Sequence, residues 1–150
     1  MGKVNIDSLR SLIESQTGCT CDVYPEIGND DTLIIPPERL QGVVALLNDY
    51  FEGIHLSTIT AQQRETRGNA IEVIYHFYQD SGFSLMITLP EQSPELASVV
   101  SIIPGADFYE REVAEMFGVK FTGRDETPPL LLPEDWDQGP PFIRKEDNDE

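Results

Sequence analysis

Ile6, Leu9, Leu12 and Ile13 recur at helical spacing and predict an amphipathic helix over residues 6–16, closed near Gly18. Residues 21–24 read as a short strand. Residues 32–35 read as a stronger one, halted by Pro36-Pro37. Pro37 suits the first turn of a helix, where a missing N–H costs nothing. Leu40, Val43, Val44, Leu47 and Phe51 carry that helix's apolar stripe to Gly53. A strand is predicted over 55–66, with Leu56, Thr58 and Thr60 on one face and Ile59 on the other. Arg67-Gly68-Asn69 supplies a turn, and Asp80-Ser81-Gly82 separates strands at 71–78 and 83–89 as a hairpin. Residues 90–94 are a loop, and 96–103 form a strand or a short helix running into one. The pattern implies an α+β domain: helices packed on one face of a mostly antiparallel sheet, followed by an extended C-terminal tail.

The last helix is predicted over 107–117. Asp107 and Glu110 form an Asp-led capping box, and Gly118 suits the position after the helix end. Tyr109, Val113, Met116 and Phe117 share one face. Arg111 is placed to pair with Asp107 and Glu115, one turn to either side. From Val119 onward prolines and turns replace any helical period, so the polypeptide should run extended over a surface. The division expected is an α+β domain over 1–123 and an acidic, proline-rich docking tail over 124–150.

Charge narrows the partners. The formal net charge of −17 opposes nucleic acid, which needs a basic face, and opposes adhesion to an anionic membrane. It favours a soluble protein or one that docks on a basic partner. No apolar run approaches the roughly 18–20 residues of a transmembrane helix, and residues 1–5 lead straight into a helical pattern without a signal-peptide core. A cytoplasmic location is expected. Cys19 and Cys21 are the only thiols. With only His55 and His76 elsewhere they do not complete a four-ligand metal site, and the C-x-C pair is expected not to form a disulfide. Both are expected to be reduced structural residues.

Glu110, Glu112 and Glu115 invite a catalytic or metal-binding reading. Glu110 and Glu112 lie about 200° apart around a helix and cannot grip one ion together. Caps and ion pairs on a docking helix are the better account. A stand-alone acidic enzyme would combine Glu110 or Glu112 with His76, and a regulatory binding module is the other alternative. Ser57, Thr58 and Thr60 lack a nucleophile elbow, and no Gly-rich phosphate loop is present. Trp136 reads equally as a satellite anchor on its own domain or as an interface hot spot.

These residues carry a resemblance. Tyr109-Glu110-Arg111-Glu112, Met116-Phe117-Gly118, Phe121, Gly123, Leu131-Leu132-Pro133-Glu134-Asp135-Trp136 and Arg144-Lys145 resemble the signature of the 30 kDa subunit of respiratory complex I, the NADH dehydrogenase. Residues 56–60 and 71–77 resemble strands of the same family. The sequence departs from it at Glu115, where Asp is usual, and at Arg124–Pro129, where the family reads His-Pro-Asp-Leu-Arg-Arg. The short form is more similar to the equivalent subunit of membrane-bound [NiFe] hydrogenases and F420H2-dependent complexes. The resemblance implies an accessory subunit without a cofactor of its own, on the cytoplasmic face of a membrane complex and without direct membrane insertion. Iron–sulfur clusters and a NiFe or quinone site would belong to its partners, a large catalytic subunit and a small iron–sulfur subunit. Docking would fall to Tyr109, Glu110, Arg111, Glu112, Phe117, Leu131, Trp136, Arg144 and Lys145.

Overall fold

The computed structural model describes residues 4–24, 31–64 and 69–144. The turn expected at Arg67-Gly68 and the docking residue Lys145 lie outside them. Helix α1 (Ile6–Thr17) starts where the Asn5 side chain accepts the N–H groups of Asp7 and Ser8, at 2.9 and 3.0 Å. It stops at Gly18, which is left-handed. Strands β1 (Asp22–Val23) and β2 (Asp31–Ile34) follow, and a single 3-10 turn opening on Pro37 leads into α2 (Leu40–Tyr50). Helix α2 buries Leu40, Val43, Val44 and Leu47, the stripe read from the sequence.

Strands β3 (His55–Arg64), β4 (Ala70–Tyr78) and β5 (Gly82–Pro90) form the expected antiparallel meander. The sheet order is β1-β2-β5-β4-β3, and β2 runs parallel to β5. The sheet is therefore mixed but mostly antiparallel. The parallel pair arises because α2 separates β2 from β3 and returns the backbone in the same direction. The helices cover the apolar face, where Ile71, Val73, Tyr75 and Phe77 of β4 meet Phe83, Leu85, Ile87 and Leu89 of β5.

The predicted alternation in β3 is corrected by a bulge. The register shifts between Leu56 and Thr58, so Leu56 and Ile59 are both buried instead of facing opposite ways. Cys19 and Cys21 precede β1, and their sulfurs lie 3.6 Å apart in the core. Both are free, and burial pushes the Cys21 thiol up to about 12.

The region after β5 resolves the open choice at 96–103. Strand β6 (Glu95–Ala97) is short, the following residues turn, and a 3-10 turn (Pro104–Ala106) leads into α3 (Asp107–Phe117). Strand β7 (Lys120–Thr122), unforeseen in the sequence, pairs parallel with β6. Its backbone bonds continue outward, Lys120 N–H to Pro94 C=O and Ser98 N–H to Thr122 C=O, both at 2.8 Å.

Helix α3 ends on Gly118 at φ +73, and a Cβ there would lie 2.8 Å from Pro140 Cγ. Gly18 has a similar φ of +68 but open space around it. Alanine at either glycine should incur the left-handed penalty of about 1–2 kcal/mol. Gly118→Ala should cost measurably more than Gly18→Ala in denaturant unfolding, because a proline ring must also move. Equal losses would show that Pro140 does not press on the helix end.

Candidate functional site

Helix α3 and the segment that follows β7 are bound together by the charged face of the helix. The capping box is not formed: Ala106 precedes the helix and has no side-chain oxygen to accept from the first turn. Glu110 turns inward instead and is fully buried. Its carboxylate accepts Ser98 Oγ at 2.6 Å, Val99 N–H at 2.8 Å and Arg124 Nη1 at 3.2 Å. Asp107 joins the same guanidinium through Nη2 and lies 3.8 Å from Arg111. Burial raises the Glu110 pKa above the ordinary carboxyl value, against the opposing pull of Ser98, the Val99 amide and Arg124. The neighbouring Tyr75 hydroxyl is buried without a hydrogen-bond partner, and its pKa is driven well up by burial and then by the Glu110 charge.

The rest of the helix's polar stripe holds the tail. Arg111 Nη2 donates to Pro128 C=O at 3.1 Å. Glu115, expected to pair with Arg111, accepts the Leu130 and Leu131 amides, the second at 2.8 Å. Asp107, Arg111 and Glu115 are spaced one helical turn apart, so the three form one line along the helix, and the tail follows it. At the far end Phe142 N–H donates to Met116 C=O at 3.0 Å and its ring meets Phe117 edge-on at 5.6 Å. Arg144 N–H then reaches Gln63 Oε1 at 2.8 Å.

This arrangement sorts the docking residues read from the sequence. Leu131, Trp136 and Arg144 are exposed, and the Trp136 indole N–H donates to Gly139 C=O at 2.7 Å. Tyr109 and Phe117 are half-buried and pack against the protein's own core. Arg111 and Glu112 are half-buried too. Glu110 is the correction: desolvation and three internal donors leave its carboxylate no face for a partner. Sequence reasoning passed over Phe108 and Phe142, which are 51% and 59% exposed, and Arg124, which binds both Asp107 and Glu110. Phe108 had a signal, since it lies off the apolar stripe of its own helix. Phe108 on the helix and Leu131, Trp136 and Phe142 on the tail thus remain in solvent, the tail's backbone being fixed from behind.

Of the two acids in the enzyme alternative, Glu110 is kept apart from the imidazole. Glu110 lies beside Tyr75 on the apolar side of the sheet, and His76, the next residue, points to the other side. There His76 is hydrogen-bonded to Thr60 Oγ1 at 2.9 Å and Ser84 Oγ at 3.0 Å. Among the described residues no three His, Cys, Asp or Glu side chains gather as a metal site, and no helix is long and apolar enough to cross a membrane.

Residues 33–148 match the family model of the respiratory-chain NADH dehydrogenase 30 kDa subunit. The chain belongs to this family. It is 32% identical over 133 residues to the C subunit of the F(420)H(2) dehydrogenase of Methanosarcina mazei, with 84% of each protein aligned. It is 33% identical to the C subunit of the NADH-quinone oxidoreductase of Roseiflexus sp. strain RS-1, over 81% of this protein and 71% of that one. The fold is shared with a component of an archaeal respiratory membrane complex, the membrane-bound sulfane sulfur reductase. That match has a TM-score of 0.66 and 21% identity, over 91% of this protein and 80% of that one. A trypsin-resistant fragment of Nqo5 matches with a TM-score of 0.61 and 20% identity, over 81% of this protein and 98% of the fragment. The protein is thus a complex I-like subunit of the 30 kDa type.

Removing the buried carboxylate should expose its role. Glu110→Ala strands Arg124 and the Val99 amide and should cost about 3–5 kcal/mol of unfolding free energy. Glu110→Gln keeps the shape and reports the proton. The folded state holds the Glu110 proton more tightly than the unfolded state, so this group's stabilising contribution is complete below its ordinary pKa of 4.5 and is lost as pH rises through the raised folded value. The stability of the native protein relative to Glu110→Gln should therefore fall as pH rises across that window. A difference constant with pH in denaturant titrations would contradict this assignment.

Proposed function

We propose that the protein is a non-catalytic peripheral-arm subunit of a complex I-like membrane oxidoreductase, docking on the large catalytic subunit and stabilising it. The observation that carries this reading is the α3–tail face. Leu131, Trp136 and Phe142 stand in solvent there, on a segment held to the helix through backbone groups of Pro128, Leu130, Leu131 and Phe142 and through the Arg124 side chain. A preorganised apolar patch of this kind lowers the entropic cost of association. The relatives' names support the class of complex. In this reading the iron–sulfur clusters and the NiFe or quinone site reside in the large and small partner subunits, and the complex sits on the cytoplasmic face of the membrane. Electrons pass through those partners while this subunit fixes their arrangement. The acidic protein is complementary to a basic partner surface, which accelerates encounter and makes it salt-dependent.

Purification through a tag on this protein from detergent-solubilised membranes should bring down a large subunit and a small iron–sulfur subunit. Two C-x-x-C pairs in the large subunit would identify a hydrogenase, and their absence a quinone-reducing or related dehydrogenase. Recovery of the protein alone from the soluble fraction would refute the subunit reading. Within the complex, Trp136→Ala should weaken association by about 2 kcal/mol or more, while Trp136→Phe should retain most of the affinity. Unchanged association in the alanine variant would remove Trp136 from the interface.

A further inference from the structure

The loop at 133–139 holds the protein's only tryptophan in a fixed pose. Trp136 N–H donates to Pro133 C=O at 3.0 Å, and the indole Nε1–H donates to Gly139 C=O at 2.7 Å. The side chain nonetheless stays exposed. An indole has one hydrogen-bonding group, and here that group is already satisfied. What the ring still offers a partner is its π face, which carries negative potential and attracts cations.

The charge around the ring has the same preference. Residues 125–143 hold five carboxylates, Asp125, Glu126, Glu134, Asp135 and Asp137, and no lysine, arginine or histidine. All five are exposed, and none makes an ion pair or side-chain hydrogen bond among the described residues. Helix α3 behaves differently, because Asp107, Glu110 and Glu115 are engaged by Arg124, Arg111 and main-chain amides of the same protein. Uncompensated like charges repel one another and destabilise the isolated subunit. Glu134, Asp135 and Asp137 lie within two residues of Trp136, on the tail that also exposes Leu131 and Phe142.

We propose that Trp136, with Asp135 and Asp137 beside it in the loop, is the seat for an arginine of the partner subunit that docks on the α3–tail face. The inference rests on the subunit reading. Arginine fits better than lysine because a planar guanidinium stacks on an aromatic face while its edge still donates to a carboxylate, and because it is less strongly hydrated. Leu131 and Phe142 supply apolar contact elsewhere on the tail. Pinning the ring within its own loop lowers the entropy lost when the arginine arrives.

The test compares complexes purified from detergent-solubilised membranes through a tag on this protein, with association read as the concentration at which the complex dissociates. A photo-cross-linking amino acid in place of the exposed Gln138 leaves the ring intact and should link to one partner peptide that contains an arginine. Trp136→Phe and Trp136→Leu both lose the bond to Gly139, so the difference between them reports the π face. Trp136→Leu should weaken association about threefold or more relative to Trp136→Phe, the ratio expected of a cation–π contact. Replacing the arginine of the cross-linked peptide by methionine should erase that difference, and Asp135→Asn with Asp137→Asn should flatten the salt dependence of association. No partner cross-link, a cross-linked peptide without arginine, or equal affinities for Trp136→Phe and Trp136→Leu in a complex that assembles overturns the seat and leaves the subunit reading intact. A cross-link to the protein's own residues 145–150, or to a second copy, overturns the seat as well. Failure to isolate any complex overturns both.

Discussion

A single buried carboxylate fixes how the C-terminal third of this protein is assembled. Glu110 leaves water entirely, a step that would be strongly unfavourable for an unpaired charge. Three donors from two places in the sequence offset that cost: Ser98 and Val99 after β6, and Arg124 after β7. Each donor is positioned by the parallel pairing of β6 with β7 around α3. The helix cannot rotate without stranding the carboxylate, and the segment leaving β7 cannot depart from the helix without stranding the arginine. Buried ionic groups add little net stability by themselves. Here the group's contribution is to make one orientation of α3 much better than its neighbours.

Once that orientation is set, the tail becomes a ligand of its own helix. Arg111 and Glu115 hold it by backbone groups, which asks little of the side-chain sequence between them. Residues 130–142 can therefore present apolar groups outward without forming a core. Docking surfaces built from unanchored tails must be ordered at the moment of binding, and this cost is subtracted from affinity. Anchoring along α3 moves much of the ordering into folding. The same design explains why Tyr109 and Phe117 pack inward while Phe108 and Phe142 remain outside. The first pair supports the helix, and the second stays in solvent.

Much of the scaffold was legible because it follows from local rules. The periods of α1, α2 and α3, the glycines that end α1 and α3, and the hairpin between β4 and β5 depend on nearby residues alone. The errors share one cause, which is competition from the surrounding fold. Asp107 and Glu110 fit a capping box, but Ser98, Val99 and Arg124 claim the Glu110 carboxylate, and Arg124 binds Asp107. Arg111 and Glu115 fit an ion pair, but the amides of Leu130 and Leu131 bind Glu115. Leu56 and Ile59 fit opposite faces until a bulge places both in the core.

By itself the sequence determined the element types, the α+β class, the family and the acidic character, because periodicity, turn chemistry and composition act over short spans. Tertiary structure alone decided the parallel placement of β2 beside β5, the β6–β7 pair, the burial of Glu110 and the course of the tail over α3. Each of these joins groups well separated along the sequence or needs a partner strand that no local pattern names. A carboxylate's neighbours in sequence state what it could bind. Only the fold states which donor reaches it first.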